Sequence, residues 1–78
     1  MTVMEADNPN WAPLEAKGGP ELCSEFMWMM RRDGIEFFKH IRTRRYLLLD
    51  SEGRCYRQTN TGFEPADLDP ELKRARGE

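Results

Sequence analysis

The chain has 78 residues, a formal net charge of −2 and 33% charged residues, so it holds one small domain at most. Its 38% hydrophobic and 10% aromatic residues argue against a fully disordered chain. No stretch approaches the roughly 18 apolar residues of a membrane span, and the N-terminal residues lack the basic start and apolar core of a secretory signal. We therefore expect a cytoplasmic protein with reduced thiols.

The small net charge hides a strong segregation of charge along the chain. Residues 1–25 contain five acidic residues and one basic residue, whereas residues 26–58 contain eight basic and four acidic residues. Residues 59–78 are acidic again, with five acidic and three basic residues. A basic centre between acidic ends predicts either an anionic partner or neutralisation within the molecule.

The N-terminal segment, residues 1–20, contains three prolines, a Gly-Gly pair and scattered acidic side chains, which is typical of a flexible arm. Trp11 and Leu14 either dock this arm onto the domain or stay exposed. We expect a flexible acidic arm over 1–20, a β-meander domain over 21–66, and a short helix and tail over 67–78.

The dipeptide Asp33-Gly34 lies between two apolar runs and predicts a tight hairpin turn, because both turn residues must tolerate a positive φ angle. A two-residue turn fixes a register in which opposite charges meet twice, at Arg31–Glu36 and at Glu25–Arg42. One face then presents Phe26, Trp28, Met30, Phe37 and Ile41, and the other presents Met27, Met29, Phe38 and His40. Because neither face is polar, both need cover.

Residues 50–53, DSEG, predict a second turn with glycine in the left-handed position. This turn places Leu49 opposite Cys55 and Leu48 opposite Tyr56. The two hairpins together predict a mainly β, α+β fold built on an antiparallel four-stranded meander. The sequence TGFEP can add a short fifth strand at the edge.

The segment 67–78 favours a short C-terminal helix, with Asp69 as its cap, Pro70 at its first position and basic residues near its end. An alternative interpretation makes residues 20–32 a helix packed on a three-stranded sheet. Methionine, glutamate, leucine and arginine favour helices, and no β-branched residue interrupts that segment.

Two surfaces of the predicted meander suit binding. The apolar hairpin face contains residue types that are enriched in protein interfaces, so we assign it to a protein partner or a second copy of the chain. Its residues are Met27, Trp28, Met29, Phe38 and His40. The basic and aromatic stretch 31–46 favours a single-stranded nucleic acid, through phosphate contacts and base stacking. The contact residues expected there are Lys39, Arg44, Arg45, Tyr46 and Arg57.

Catalysis, metal binding and cofactor binding have weak support in the sequence. Cys23 and Cys55 give neither a zinc spacing nor a redox motif, and no phosphate-binding glycine pattern occurs. Met27, Met29 and His40 include copper(I) ligand types, but methionines at strand spacing usually pack in a core. We therefore expect a non-enzymatic binding domain without metal, cofactor, membrane association or small-molecule substrate. Protein docking is the main interpretation, and nucleic-acid binding is the alternative.

Overall fold

The computed structural model describes residues 8–78. Within them, five strands form one antiparallel sheet in the order β1-β2-β3-β4-β5, accompanied by two helices. The elements are α1 (Ala12–Cys23), β1 (Phe26–Arg32), β2 (Ile35–His40), β3 (Tyr46–Asp50), β4 (Cys55–Thr59), β5 (Gly62–Ala66) and α2 (Leu68–Arg76). The mainly β, α+β meander is confirmed, with a full fifth strand and one helix more than expected. No helix in this part of the chain is long and apolar enough to cross a membrane.

Helix α1 corrects the prediction of a flexible arm over residues 12–20, while residues 1–7 of that arm lie outside the described residues. The prolines do not prevent the helix, because each stands where no backbone N–H donor is needed. Pro13 lies in the first turn. Pro20 directly follows Gly19, whose φ of 76° separates α1 into two helical segments.

The first hairpin turn forms where the sequence predicts it. Asp33 and Gly34 have φ angles of 55° and 78°, as a tight turn between twisted strands requires. Arg31 lies opposite Glu36, again as expected. Because the residues before this turn form strand β1, the alternative of a helix over 20–32 is wrong.

Beyond the turn, the register of the first hairpin differs from the expected one. A β-bulge at Met29 inserts one extra residue into β1, so that Trp28 lies opposite Phe38 and Phe26 opposite His40. A shift of one residue moves side chains to the other face of a strand. The aromatic rings of β1 therefore share a face with Phe38 and His40, not with the face expected from the turn alone.

Both helices pack on the same face of the sheet, which we call the covered face, and the core lies between them. Its buried members are Leu14, Leu22, Phe26, Phe38, Leu47, Leu49, Cys55, Leu72 and Ala75. Phe38 is fully buried, and its ring lies 5.1 Å from the ring of Trp11. Trp11 therefore docks the start of α1 onto the sheet.

The C-terminal helix is capped differently from the prediction. Asp67, not Asp69, occupies the N-cap position, and its side chain makes no capping hydrogen bond. Asp69 instead binds Nζ of Lys17 at 2.5 Å, which links α2 to α1. At the other end, Gly77 adopts the left-handed conformation that commonly terminates helices.

The two outer strands of the sheet are both irregular. β5 contains Pro65, opposite Tyr56 of β4. Proline has no N–H, and on an edge strand the missing donor faces away from the sheet. At the other edge, β1 contains the bulge at Met29.

The second turn is held by the carboxylate of Asp50. Its Oδ1 accepts hydrogen bonds from the backbone N–H groups of Glu52 and Arg54, both at 2.9 Å. Its Oδ2 accepts from the hydroxyl of Tyr56 at 3.0 Å. Although partial burial raises the pKa of Asp50, these hydrogen bonds and the charge of Arg54 together hold that pKa below its ordinary value.

We expect this turn to make stability depend on pH in the acid range. Because the pKa of Asp50 is lower in the folded state, its contribution is present above the unfolded value of about 4 and is lost as the pH falls through the folded pKa. Asp50→Asn should therefore weaken the fall in the free energy of unfolding between about pH 6 and about pH 2, measured by urea titration. Ser51→Ala, at an exposed position of the same turn, alters no titratable group and should keep the wild-type dependence. Equal acid dependence in Asp50→Asn and the wild type would contradict this assignment.

Candidate binding groove on the open face of the sheet

We call the face of the sheet opposite α1 and α2 the open face, because no helix of residues 8–78 packs on it. Ile35, Phe37 and Leu48 form a second buried cluster there, against which Tyr56 and Phe63 pack. Alternation along the paired strands also places Met27, Met30, Arg32, Lys39, Tyr46 and Gln58 on this face. The open face is therefore apolar in its middle and carries cations.

Strong curvature makes the open face concave. The ring centroids of Phe37 on β2 and Phe63 on β5 lie only 5.9 Å apart. In a flat sheet their strands would be about 14 Å apart, because adjacent strands are spaced by roughly 4.8 Å. The curvature explains how Phe37 and Leu48 reach 5% and 6% exposure without a covering helix.

The sheet also opens between β3 and β4. These strands pair only beside their turn, with Leu48–Tyr56 as the last pair before they diverge. Arg74 of α2 reaches this gap, where its Nη2 donates a hydrogen bond to the carbonyl of Tyr46 at 3.0 Å. A helix side chain therefore satisfies a strand carbonyl at the place where the ladder ends.

We call two neighbouring cavities the groove: one lies on the open face, and the other lies at the gap and reaches α2 on the covered side. The first, of about 320 Å³, is lined by Met30, Arg32, Phe37, Tyr46 and Gln58. The second, of about 600 Å³, lies at the gap and includes Tyr56, Arg57, Glu71 and Arg74 in its lining. Tyr46 and Gln58 line both cavities, so the two cavities are direct neighbours.

Positive charge predominates along the groove. Neither Arg32 nor Lys39 forms an ion pair within residues 8–78, and Nζ of Lys39 lies 5.8 Å from the ring centre of Tyr46. At the gap, Arg57 and Arg74 share the carboxylate of Glu71, at 3.6 Å and 3.1 Å. Arg57 also lies 3.6 Å from Glu64, so two glutamates face two arginines there, and the excess of positive charge comes from Arg32 and Lys39.

The structure separates the residues of the expected protein-binding face. Phe38 and His40 are 0% and 3% exposed on the covered face, and Trp28 is half-buried beside them. Met27 lies on the open face and Met29 at the bulge, with 38% and 41% exposure. Because the bulge exchanges the faces of β1, these five residues do not form one surface.

The expected pair Glu25–Arg42 does not form, because the bulge shifts the strands. Glu25 instead accepts hydrogen bonds from Nε2 of His40 at 3.1 Å and from Nε of Arg76 at 3.0 Å. Nδ1 of His40 accepts from the backbone N–H groups of Arg42 and Thr43, each at 3.2 Å. Both ring nitrogens of His40 are therefore occupied, on the face of the sheet opposite Met27, so these residues are not brought together as metal ligands.

The basic loop over 41–45 binds the end of helix α2. Three of its side chains donate to successive helix carbonyls: Arg45 to that of Arg74, Thr43 to that of Ala75, and Arg42 to that of Arg76. The last carbonyls of a helix lack partners within the helix and favour cations. The high arginine content of the loop therefore serves, in large part, to cap α2.

The five residues expected to contact nucleic acid have different environments. Arg45 caps α2, and Arg57 lies near two carboxylates. Lys39 and Tyr46 lie together on the open face. Arg44 is exposed in the loop at a φ of 67°. Lys39, Tyr46 and Arg57 thus lie in the groove or at its rim, whereas Arg44 and Arg45 lie in the loop.

We expect Arg45→Ala to lower the free energy of unfolding by about 1 kcal/mol, because it removes a charged donor from the end of α2. Arg44→Ala in the same loop removes the same charge without breaking a hydrogen bond of the described residues and should change stability by less than about 0.5 kcal/mol. Urea unfolding of the two variants measures the difference. Equal losses would show that the hydrogen bond to α2 contributes nothing.

The cysteines are free thiols, and burial governs their chemistry. Burial, followed by the charge of Glu71, raises the pKa of Cys55 to about 11, so this thiol stays protonated near neutral pH. Burial also raises the pKa of Cys23. Within the described chain, no group of three or more His, Cys, Asp or Glu side chains is arranged to hold a metal ion.

Sequence reasoning missed Gln58 and Arg74 as neighbours of Tyr46, and Phe63 as a neighbour of Phe37. These residues come from β4, β5 and α2, and only the curvature of the sheet and the gap bring them together. The alternation of Phe63 with Pro65 predicts a strand, but it does not predict the contact of Phe63 with Phe37. No local pattern predicts the groove.

Comparison of the chain with protein-family models, with curated proteins and with solved structures gave no significant match. Function is therefore inferred from the residues of the groove alone.

Proposed function

We propose that this protein is a small non-enzymatic binding domain that docks another protein in the groove of its open face. The concave, helix-free face carries the proposal. Its apolar floor includes Phe37 and Leu48, and Met30 and Tyr46 at the sides of the groove are 36% and 38% exposed. Apolar surface that no element of the described chain covers marks interaction sites more often than inert surface does.

The residue types of the groove also support a protein partner. Tyrosine, phenylalanine, methionine and arginine are enriched in the centres of protein interfaces. Met30 can adjust its shape to a partner side chain, because its thioether chain is flexible. The amide of Gln58 offers a donor and an acceptor to a partner backbone.

A second copy of the chain fits the groove less well than a different protein. Contact between two open faces brings Arg32 and Lys39 of one copy towards the same cations of the other. The carboxylate of Asp50 is already bonded to Tyr56 and to the turn. We therefore expect a sedimentation mass that matches the monomer. A dimer that Tyr46→Ala dissociates would instead identify the groove as a self-association site.

The test of protein docking is a selection of random peptides displayed on phage against the immobilised protein. We expect enriched peptides that the wild type retains and that Tyr46→Ala loses. The matched control is Ile41→Ala, which removes another exposed apolar side chain (49% exposed) outside the groove and should retain the same peptides. Circular dichroism confirms that both variants fold. If no peptide depends on Tyr46, the groove is not a docking site.

Single-stranded nucleic acid is the second candidate, and one observation favours it. Lys39 lies beside the ring of Tyr46, which is 38% exposed, so one ring for base stacking adjoins a cation for a phosphate. Binding of a labelled oligothymidine, followed by fluorescence anisotropy, tests this candidate. It requires affinity that falls steeply with salt and is lost in Lys39→Ala. Binding that survives Lys39→Ala contradicts it.

A further inference from the structure

We infer that the partner segment carries one large apolar side chain with acidic residues on both sides of it. This inference rests on the proposed docking in the groove and adds the chemistry of the partner. Three arginines and one glutamate line the groove, Lys39 adds a cation at its rim, and Glu64 lies 3.6 Å from Arg57, so four cations stand against two carboxylates. A partner that places carboxylates along the groove would compensate this excess.

The first cavity defines the apolar contact. Met30, Phe37 and Tyr46 supply apolar walls, and its volume of about 320 Å³ lies at the lower end of the range of ligand pockets, roughly 300–1,000 Å³. A cavity of this size suits one aromatic or long aliphatic side chain. Arg32 lines the same cavity. A partner carboxylate next to the inserted apolar side chain would therefore lie close to the guanidinium of Arg32.

Arg32 is available for such a contact. Its side chain is exposed, and it forms no hydrogen bond or ion pair within residues 8–78. It lies on the open face beside Ile35, the residue opposite it across the turn. Arg31, its neighbour in the sequence, is bound to Glu36 on the covered side. The two adjacent arginines therefore have different tasks, and only Arg32 faces the groove.

Arg57 provides the second contact, at the other end of the groove. Its guanidinium lies 3.6 Å from the carboxylates of both Glu64 and Glu71, beyond the usual length of an N–H···O hydrogen bond, about 2.7–3.2 Å. The side chain of Arg57 is 57% exposed. Loosely held and exposed, it can turn towards a partner carboxylate at a small cost in existing contacts.

The test uses the peptides enriched in the phage selection, synthesised with their native acidic residues and with each Asp or Glu replaced by Asn or Gln. We expect neutralisation to weaken binding about tenfold or more. Arg32→Glu should weaken the native peptides by a similar factor. Lys73→Glu makes the same charge change on α2 outside the groove and should leave affinity within about twofold, since distant surface charges are screened.

The outcomes separate this inference from the proposed function. Peptides that lose binding in Tyr46→Ala but tolerate both neutralisation and Arg32→Glu would overturn the acidic partner and leave docking in the groove intact. Equal weakening by Arg32→Glu and Lys73→Glu would overturn it as well, because the effect would then be one of net charge. The absence of any Tyr46-dependent peptide would overturn both.

Discussion

Replacement of Phe38 by alanine is expected to lower the free energy of unfolding by about 4 kcal/mol. The ring is completely buried, contacts Trp11 from helix α1, and lies opposite Leu47 on β3 and Trp28 on β1. Truncation leaves a cavity where the helix and the strands meet. The lost burial and the cavity both lower the free energy of unfolding. A domain of this size has only about 4–12 kcal/mol of stability, so this variant is expected to lie near the limit of folding.

Urea unfolding followed by tryptophan fluorescence measures this loss. Met29→Ala is the matched control: it removes a large apolar side chain of the first hairpin that is 41% exposed, and it should cost less than about 1 kcal/mol. The opposite pattern is informative. If Phe38→Ala unfolds like the wild type and yet loses the selected peptides, Phe38 belongs to a binding face, and the bulged register is wrong.

Glu36→Ala is expected to cost about 3 kcal/mol, although it removes only one carboxylate. Glu36 is 2% exposed. Its Oε1 accepts from the indole N–H of Trp28 at 2.6 Å, and its Oε2 accepts from Nε of Arg31 at 2.5 Å. Removing the carboxylate leaves the indole N–H without this acceptor and takes the buried counter-charge from Arg31. The same carboxylate accepts the backbone N–H of Asn10, so the entry to α1 loses a contact too.

The isosteric variant Glu36→Gln separates charge from shape. Its amide oxygen can still accept one hydrogen bond, so we expect a smaller loss than for Glu36→Ala, about 1–2 kcal/mol, in the same urea assay. Glu64→Ala, at a carboxylate that is 51% exposed on β5, should change stability by less than about 1 kcal/mol. A loss for Glu36→Ala no larger than that for Glu64→Ala would show that the network contributes little.

Local signals predicted the turns but not the faces of the first hairpin. Asp33-Gly34 combines two residues that tolerate positive φ between apolar runs, and the turn formed there. Met29 differs from Met27 and Met30 only in its position, so nothing in the residue types marks it as the bulge. That one residue moved the neighbouring Trp28 and all β1 residues before it to the opposite face.

Helix α1 and the basic loop show why composition alone misleads. Prolines such as Pro13 and Pro20 are common both in flexible arms and at helix starts. Here the burial of Leu14 and Leu22 in the core favours the helix. An arginine-rich loop has the same composition whether its side chains bind a phosphate or, as here, the carbonyls of α2. For the candidate site, the sequence predicted Lys39, Tyr46 and Arg57. It could not predict Phe63 or Arg74, because curvature over three strand spacings brings these distant residues together.

Pro65 has a consequence for how copies of this protein behave when crowded. A foreign strand that adds to β5 must donate and accept along its whole length, and it meets a position without a donor. At the opposite edge, an added strand meets the β-bulge at Met29, which interrupts the regular backbone. Both edges of the folded sheet therefore oppose the regular addition of a further strand, which disfavours edge-to-edge association of folded copies.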